Sequence, residues 1–247
     1  MVAPNNQSAY ELKTEVGRLF FTGDLHGEHP ACRFNDVDFP IGRLLTKDDY
    51  VVIAGELGIP SECSESYEDA EKLDWLESQP WITLFVDGNH DNFDALELLP
   101  EEEWHGGMVH KLRPSVIHLT RGYLFEIAGR SLLAFGGAVS IDKVFRIEGI
   151  DWWPQEVPSP EERARLMQTL DDCDWKADIV VTHCAPMNFV TNLGLTLIED
   201  SVTRFLFESV YKHPLDYGHW YFGHYHEDKE LPHYGATALL RKIVEAK

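Results

Sequence analysis

Five short apolar runs in this 247-residue chain each end in a cluster of Asp, Glu, Asn or His beside glycine. They are Thr22-Gly-Asp24-Leu-His26-Gly27, Ile53-Ala-Gly55-Glu56-Leu-Gly58, Val86-Asp-Gly88-Asn89-His90-Asp91, Val181-Thr-His183 and Phe222-Gly223-His224-Tyr225-His226. A short run rich in β-branched and aromatic residues, stopped by Gly, Asp or Asn, reads as a strand. In open α/β sheets, ligands bind in the crevice beyond the carboxyl ends of the strands. Five such ends constrain the chain to a fold that gathers them in one place. The spacing within them is also informative. Asp24 and His26, like His224 and His226, are two residues apart, and on an extended backbone such side chains point the same way. The glycines let the backbone turn tightly and approach a ligand closely. A lone histidine at a strand end is more often structural, and an isolated Gly-Asn-His is commonest in a plain turn. The ordered set of five carries the weight.

Strand-like runs at residues 18–22, 50–54, 81–86, 115–119, 123–127, 131–135, 179–182 and 220–222 alternate with helical patterns. Residues 67–78 place Ala70, Leu73 and Leu76 on one face. Ser159-Pro-Glu-Glu162 reads as an N-cap, a first-turn proline and a capping-box acid for a helix running toward Asp174. Residues 200–212 read as a further helix stopped by His213-Pro214. Strand–helix alternation early and late, with hairpin-like strands between, predicts an α/β fold: two mixed β-sheets packed as a sandwich and flanked by helices, in one domain over residues 1–247. The acidic residues 100–103 read as a solvated helix end or loop. Residues 147–160, with three prolines beside Trp152-Trp153, read as either a lid or a surface loop with its tryptophans tucked inward.

Composition narrows the function. There are 42 acidic against 21 basic residues, a formal net charge of −21, and 44% of the chain is hydrophobic. That supports a real core and argues against duplex nucleic acid and anionic membranes as partners, since both are bound through Lys and Arg. Four scattered cysteines, no signal-like start and no apolar run of membrane length give the expectation of a cytoplasmic protein. The five strand ends offer carboxylate, amide oxygen and imidazole donors with no thiolate, which suits Mn, Fe, Zn, Ni or Co better than Ca or Mg.

In order and spacing the five segments resemble the calcineurin-like metallophosphoesterases, whose pattern is Asp-x-His, Gly-Asp, Gly-Asn-His-Asp/Glu, a lone His and Gly-His-x-His. The resemblance spans Gly23 to His226 and is nearest to the bacterial and phage-type members, several of which are serine/threonine phosphatases. It implies two divalent metal ions, manganese first among the candidates. Asp24, His26 and His226 would hold one, Asn89, His183 and His224 the other, and Glu56 would bridge them. It implies in-line attack of a metal-bridging hydroxide on a phosphate mono- or diester of a small molecule or a protein, with His90 facing the leaving group as the catalytic acid. Two such cations add +4 where the chemistry occurs, so the overall acidity limits which esters approach rather than whether they react.

The sequence departs from the family pattern in two places. Glu56 stands where the bridging residue is nearly always Asp, and its longer arm can still bridge or can weaken one metal site. Ile59 stands where an Asp often pairs with the Gly-Asn-His histidine, which leaves Asp91 as the candidate to orient His90. The phosphate-gripping Arg of protein phosphatases is missing, and Arg113, Arg121, Lys143 and Arg146 are the basic residues to inspect in its place. His29, just after the first segment, is a further candidate for the cleft. The alternative function is a non-catalytic binding or scaffold protein that keeps the fold.

Overall fold

The computed structural model describes residues 17–63, 66–196, 200–213 and 215–247. In chain order the elements are β1 (Leu19–Thr22), β2 (Tyr50–Ile53), α1 (Tyr67–Glu77), β3 (Ile82–Phe85), α2 (Phe93–Glu97), β4 (Glu101–Trp104), β5 (Gly107–Arg113) and β6 (Val116–Leu119). Then follow β7 (Tyr123–Ile127), β8 (Arg130–Phe135), α3 (Pro160–Asp172), β9 (Lys176–Thr182), α4 (Met187–Leu193), α5 (Ser201–Phe205), β10 (Asp216–Phe222), β11 (Lys229–Leu231), β12 (Ala236–Ala238) and β13 (Val244–Glu245).

These strands form two mixed sheets, ordered β13-β1-β2-β3-β6-β5-β4 and β11-β12-β10-β9-β8-β7. The centre of each is parallel (β1, β2, β3 and β6 in one; β8, β9, β10 and β12 in the other). Antiparallel strands close the margins. Central parallel strands are covered on both faces, which is why their sequences are continuous apolar runs.

The alternation within those runs assigns the layers. Leu19, Phe21, Val52 and Leu84 face Phe125, Leu132, Ile179 and Tyr221 across the space between the sheets, and the rings of Phe21 and Tyr221 stack there at 4.0 Å. The intervening residues Phe20, Val51, Ile53 and Phe85 turn outward onto Leu73 and Leu76 of α1. On the second sheet Leu133, Phe135, Val180 and Trp220 turn outward onto Leu166 and Leu170 of α3 and Phe189 of α4. Each fully buried large side chain contributes about 1.5–3 kcal/mol. The result is the helix–sheet–sheet–helix sandwich expected from sequence.

Local signals also have their expected effects. The Ser159–Glu162 capping box opens α3 with Pro160 in its first turn, and Ser66 caps α1. The helix expected at 200–212 is α5 continuing into a wider π-helical segment, Leu206–Tyr211; Pro214 lies outside the described residues. The acidic residues near 100–103 are corrected: Glu101–Trp104 is a strand rather than a helix end or loop. β4 is an edge strand whose three glutamates face solvent, and charge on an edge discourages pairing with other chains. In the loop at 147–160, Trp153 is buried and its indole N–H donates to Asp94 at 3.0 Å, which is the tucked-inward alternative. Among the described residues, no helix is long and apolar enough to cross a membrane.

Candidate metal centre

The loops after β1, β2, β3, β9 and β10 carry the five segments, and the parallel registers of these strands bring their carboxyl ends together. The backbone amides of Leu25 and His26 donate to the Glu56 carbonyl at 3.0 and 2.9 Å, stitching the first loop to the second. Asp91 stitches the second to the third: its carboxylate accepts from the amides of Gly58 and Gly88 at 2.8 and 2.7 Å. Asp91 is therefore committed to backbone, which corrects the expectation that it orients His90. Two glycines are sterically required. A Cβ on Gly55 would collide with the His183 ring, and one on Gly88 with the Glu56 side chain. His26, Glu56, His224 and His226 all adopt positive φ, between 52° and 66°, a strained region for side-chain-bearing residues that persists where a site over-determines it.

All seven residues singled out as candidate ligands converge. Asp24, His26, Glu56 and His226 form one group of donor atoms within 4.8 Å of one another, and Glu56, His183 and His224 form a second, so Glu56 belongs to both. Asn89 joins the second group, its Oδ1 3.1 Å from His183 Nε2. Asp24, Glu56, Asn89 and His183 are buried, whereas His26 and His226 sit at the rim. His183 Nδ1 donates to the Ala54 carbonyl at 3.0 Å, which fixes its tautomer and turns Nε2 toward the cluster. Both Asp24 oxygens accept from the His224 amide.

Several features fit cations better than they fit a self-contained hydrogen-bond network. Glu56 Oε2 is buried without a well-aligned hydrogen bond, its near neighbour being His26 Nδ1 at 2.6 Å. The Nε2 atoms of His26 and His226 are 3.0 Å apart. Among the described residues, the ion-pair partners of the buried Asp24 and Glu56 carboxylates are imidazoles: His26, His183 and His226 for Asp24, and His26, His90 and His183 for Glu56. Burial pushes the Asp24 carboxyl up to about 7 against the pull of His183. Burial would raise Glu56 too, but the His183 and His26 imidazoles hold it well below the usual carboxylate range. His183, which burial alone would depress, is raised to about 9 by Glu56 and Asp24, while burial drives His224 down to about 3. Without a cation the cluster thus holds protons on His183 and Asp24, while His224 stays neutral, the state in which imidazole ligates metal; a bound cation would displace those protons.

His90 lies at the edge of this cluster, its Nε2 3.8 Å from Glu56 Oε1. Nε2 also faces two donors, Asn89 Nδ2 at 3.1 Å and Arg146 Nη2 at 3.4 Å, and Nδ1 is buried with no partner. Burial lowers its pKa, partly offset by Glu56. Of the four basic residues considered from sequence, Arg146 alone reaches the cleft, held by a two-point pair with Asp142 at 2.9 and 2.8 Å. Arg121 is buried against Asp87 and Glu162, Arg113 pairs with Asp74, and Lys143 lies over the Trp152 ring. His29 caps a turn by accepting from the Ala31 amide and takes no part in the cluster.

Sequence reasoning missed the support behind Asn89. Its Nδ2 donates to Ser140 Oγ at 3.0 Å, and Ser140 donates onward to the fully buried Glu156. That chain orients the Asn89 amide with its oxygen toward the cluster. Ser140 follows β8 and Glu156 belongs to the loop before α3, and neither belongs to a recognisable motif. No sequence signal pairs them.

The sequence profile of the calcineurin-like phosphoesterases matches residues 17–228. No curated protein sequence matches the chain. Superposition on the solved structure of a phosphopantetheinyl hydrolase from Mycobacterium tuberculosis covers 92% of this chain and 89% of that one, at 14% identity and a TM-score of 0.46. With the profile extending from the first strand to the residues just beyond the last of the five segments, the chain belongs to the calcineurin-like phosphoesterase family.

Proposed function

We propose that the protein is a two-metal phosphoesterase that hydrolyses phosphorylated small molecules or proteins, with Asp24, His26, Glu56 and His226 holding one divalent cation and Glu56, Asn89, His183 and His224 the other. The observation that carries this reading is Glu56, shared by both donor groups and buried between them. One methylene longer than the Asp expected there, it still reaches both groups, which supports a retained bridge. When bound, such a cation pair lowers the pKa of water and neutralises charge that develops on a phosphoryl group in line with the attack.

The remaining steps belong to side chains of this chain. Arg146, pre-positioned by Asp142, presents Nη2 to the cleft beside His90 and is set to hydrogen-bond a phosphoryl oxygen. Burial and Arg146 disfavour the charged form of His90 more than Glu56 favours it. An arriving phosphoryl anion reverses that balance. His90 then takes up a proton and passes it to the departing oxygen.

Purified protein assayed on aryl phosphate mono- and diesters with Mn, Fe, Ni, Co or Zn supplied separately tests the reading. Turnover is expected with at least one metal. His90→Ala is expected to lower kcat by about 10²–10⁴-fold while bound metal is unchanged. Metal-loaded protein inactive on every ester, or a fully active His90→Ala, overturns it.

A further inference from the structure

Two cavities flank Glu56 and His90, and their walls differ. One, of about 240 Å³, contains the cationic Arg146 with His26, Ser61 and Asn92, beside Ile150 and Trp153. The other, of about 390 Å³, opens beside Asn89, His224 and His226. Beyond those residues, its walls set Val139, Ile141, Val190, Leu195 and the ring of Tyr225 among Ser140, Thr196 and Thr203. No Lys or Arg lines it among the described residues. Its two further acids are already engaged, Asp142 by Arg146 and Asp200 by the amides of Val202 and Thr203 at the start of α5. A second phosphate or a carboxylate on the substrate would find no partner there, and an unpaired anion beside two acids is disfavoured. The volume is within the range of cavities that hold small organic ligands.

The apolar wall continues outside. Of the nine large hydrophobic side chains left exposed among the described residues, five (Ile141, Val144, Phe145, Ile147 and Ile150) lie in one ten-residue stretch. That stretch rims both cavities, with Ile141 in the wall of the larger and Ile150 in that of the smaller. An apolar ridge this concentrated is unusual for a free surface and marks a place where apolar matter is received.

We infer that the larger cavity binds the organic portion of the substrate and that this portion is apolar and without a second anionic group: a phosphoester of an apolar alcohol whose chain leaves the cavity along the 141–150 ridge. The inference rests on the phosphoesterase reading for the position of the phosphoryl group and adds the class of alcohol. The two metal-facing cavities divide the work. The phosphoryl group meets the metal donors and Arg146, and the alcohol lies over Val190, Leu195 and Ile141.

Non-hydrolysable alkylphosphonates (methyl, butyl and octyl) titrated into the manganese-loaded full chain by calorimetry read this directly, without requiring turnover. Affinity is expected to rise by about fourfold per buried methylene until the cavity is filled. A carboxylate at the far end of a butyl chain is expected to cancel the gain. Leu195→Asp and Ile141→Asp, at half-buried and exposed positions that tolerate charge, are expected to flatten the series while leaving methylphosphonate affinity within about twofold. A flat series in the natural protein, failure of all three phosphonates to bind, or an unchanged slope in both variants overturns the inference. Turnover of 4-nitrophenyl phosphate by the same preparations separates the two readings. Turnover with a flat series removes the apolar pocket alone, and a rising series without turnover removes hydrolysis alone.

Discussion

Asp87 and Asn89 are two residues apart, yet they belong to two buried polar clusters built on opposite principles. Around Asp87 the charges are matched from within: Arg121 donates to it through Nε at 2.8 Å and again through Nη2, and reaches Glu162 at 3.2 Å. His118 Nε2 lies 3.1 Å from the same carboxylate, and its Nδ1 lies 3.1 Å from His110 Nδ1. Burial alone would raise the Asp87 carboxyl, but Arg121 and His118 hold it well below the usual carboxylate range. Around Asn89 the carboxylates Asp24 and Glu56 have imidazoles and amides only. The first cluster completes its electrostatics with its own side chains and has no call for a ligand. The second offsets its carboxylates only with titratable imidazoles, which can give up their protons to a cation from outside. Both clusters are built on buried carboxylates and imidazoles, so what separates a structural network from a candidate metal centre is whether a guanidinium is supplied.

The largest effect expected from that contrast is at Glu56. Glu56→Gln should reduce metal affinity by more than about 100-fold, with turnover falling in parallel. The metal-free variant should also melt lower than the metal-free natural protein, because the His183 and His26 imidazoles stabilise the ionised Glu56 in the fold. Metal analysis and thermal unfolding in chelator decide it, and an undiminished metal content would erase the distinction between the clusters. Arg121→Met should behave in the opposite sense. It strands Asp87 and should cost about 3–5 kcal/mol of stability, read by denaturant unfolding, while the folded fraction keeps its full metal content.

A smaller effect is expected at the hinge between the two principles, where Ser140 and Glu156 fix the Asn89 amide. Ser140→Ala should weaken metal binding by about 10–100-fold, and Ser140→Thr, which keeps the hydroxyl, should restore it. Equal losses in both variants would mean that shape rather than the hydrogen bond matters. The smallest effect is expected from pH on the matched cluster. Burial pushes the His110 imidazole down from its ordinary 6.5 to about 4. The unfolded chain therefore takes up that proton first as the solution is acidified. The contribution is complete above pH 6.5 and is lost as pH falls toward 4. Denaturant unfolding at pH 7 and pH 4.5, compared with His110→Gln, should show the natural protein losing more stability on acidification than the variant.

Much of this architecture was legible in the chain because its signals are local. Apolar runs stopped by Gly and Asp gave the central strands, and Ser159 with Glu162 gave the start of α3. The ordered donors gave a candidate site whose seven members do converge. Elements whose identity depends on a neighbour were not legible. β4 is three glutamates and a tryptophan, and it is a strand because β5 lies beside it to supply the ladder. Asp91 reads as a companion of His90 in sequence but is consumed by the amides of Gly58 and Gly88.

By itself the sequence determined the layered α/β class and the inventory of metal-liking donors, since strand periodicity and donor chemistry are properties of short segments. The tertiary structure alone decided which charges are paired. Arg121 and Arg146 are both arginines near acids in the chain. Packing buries one against Asp87 and aims the other at His90, and in a low-dielectric interior that placement fixes what each can do. It also decided that one wall of the cleft is apolar, because Val190 of α4 and Leu195 just after it meet Ile141, from the loop after β8, only once β8 and β9 have paired.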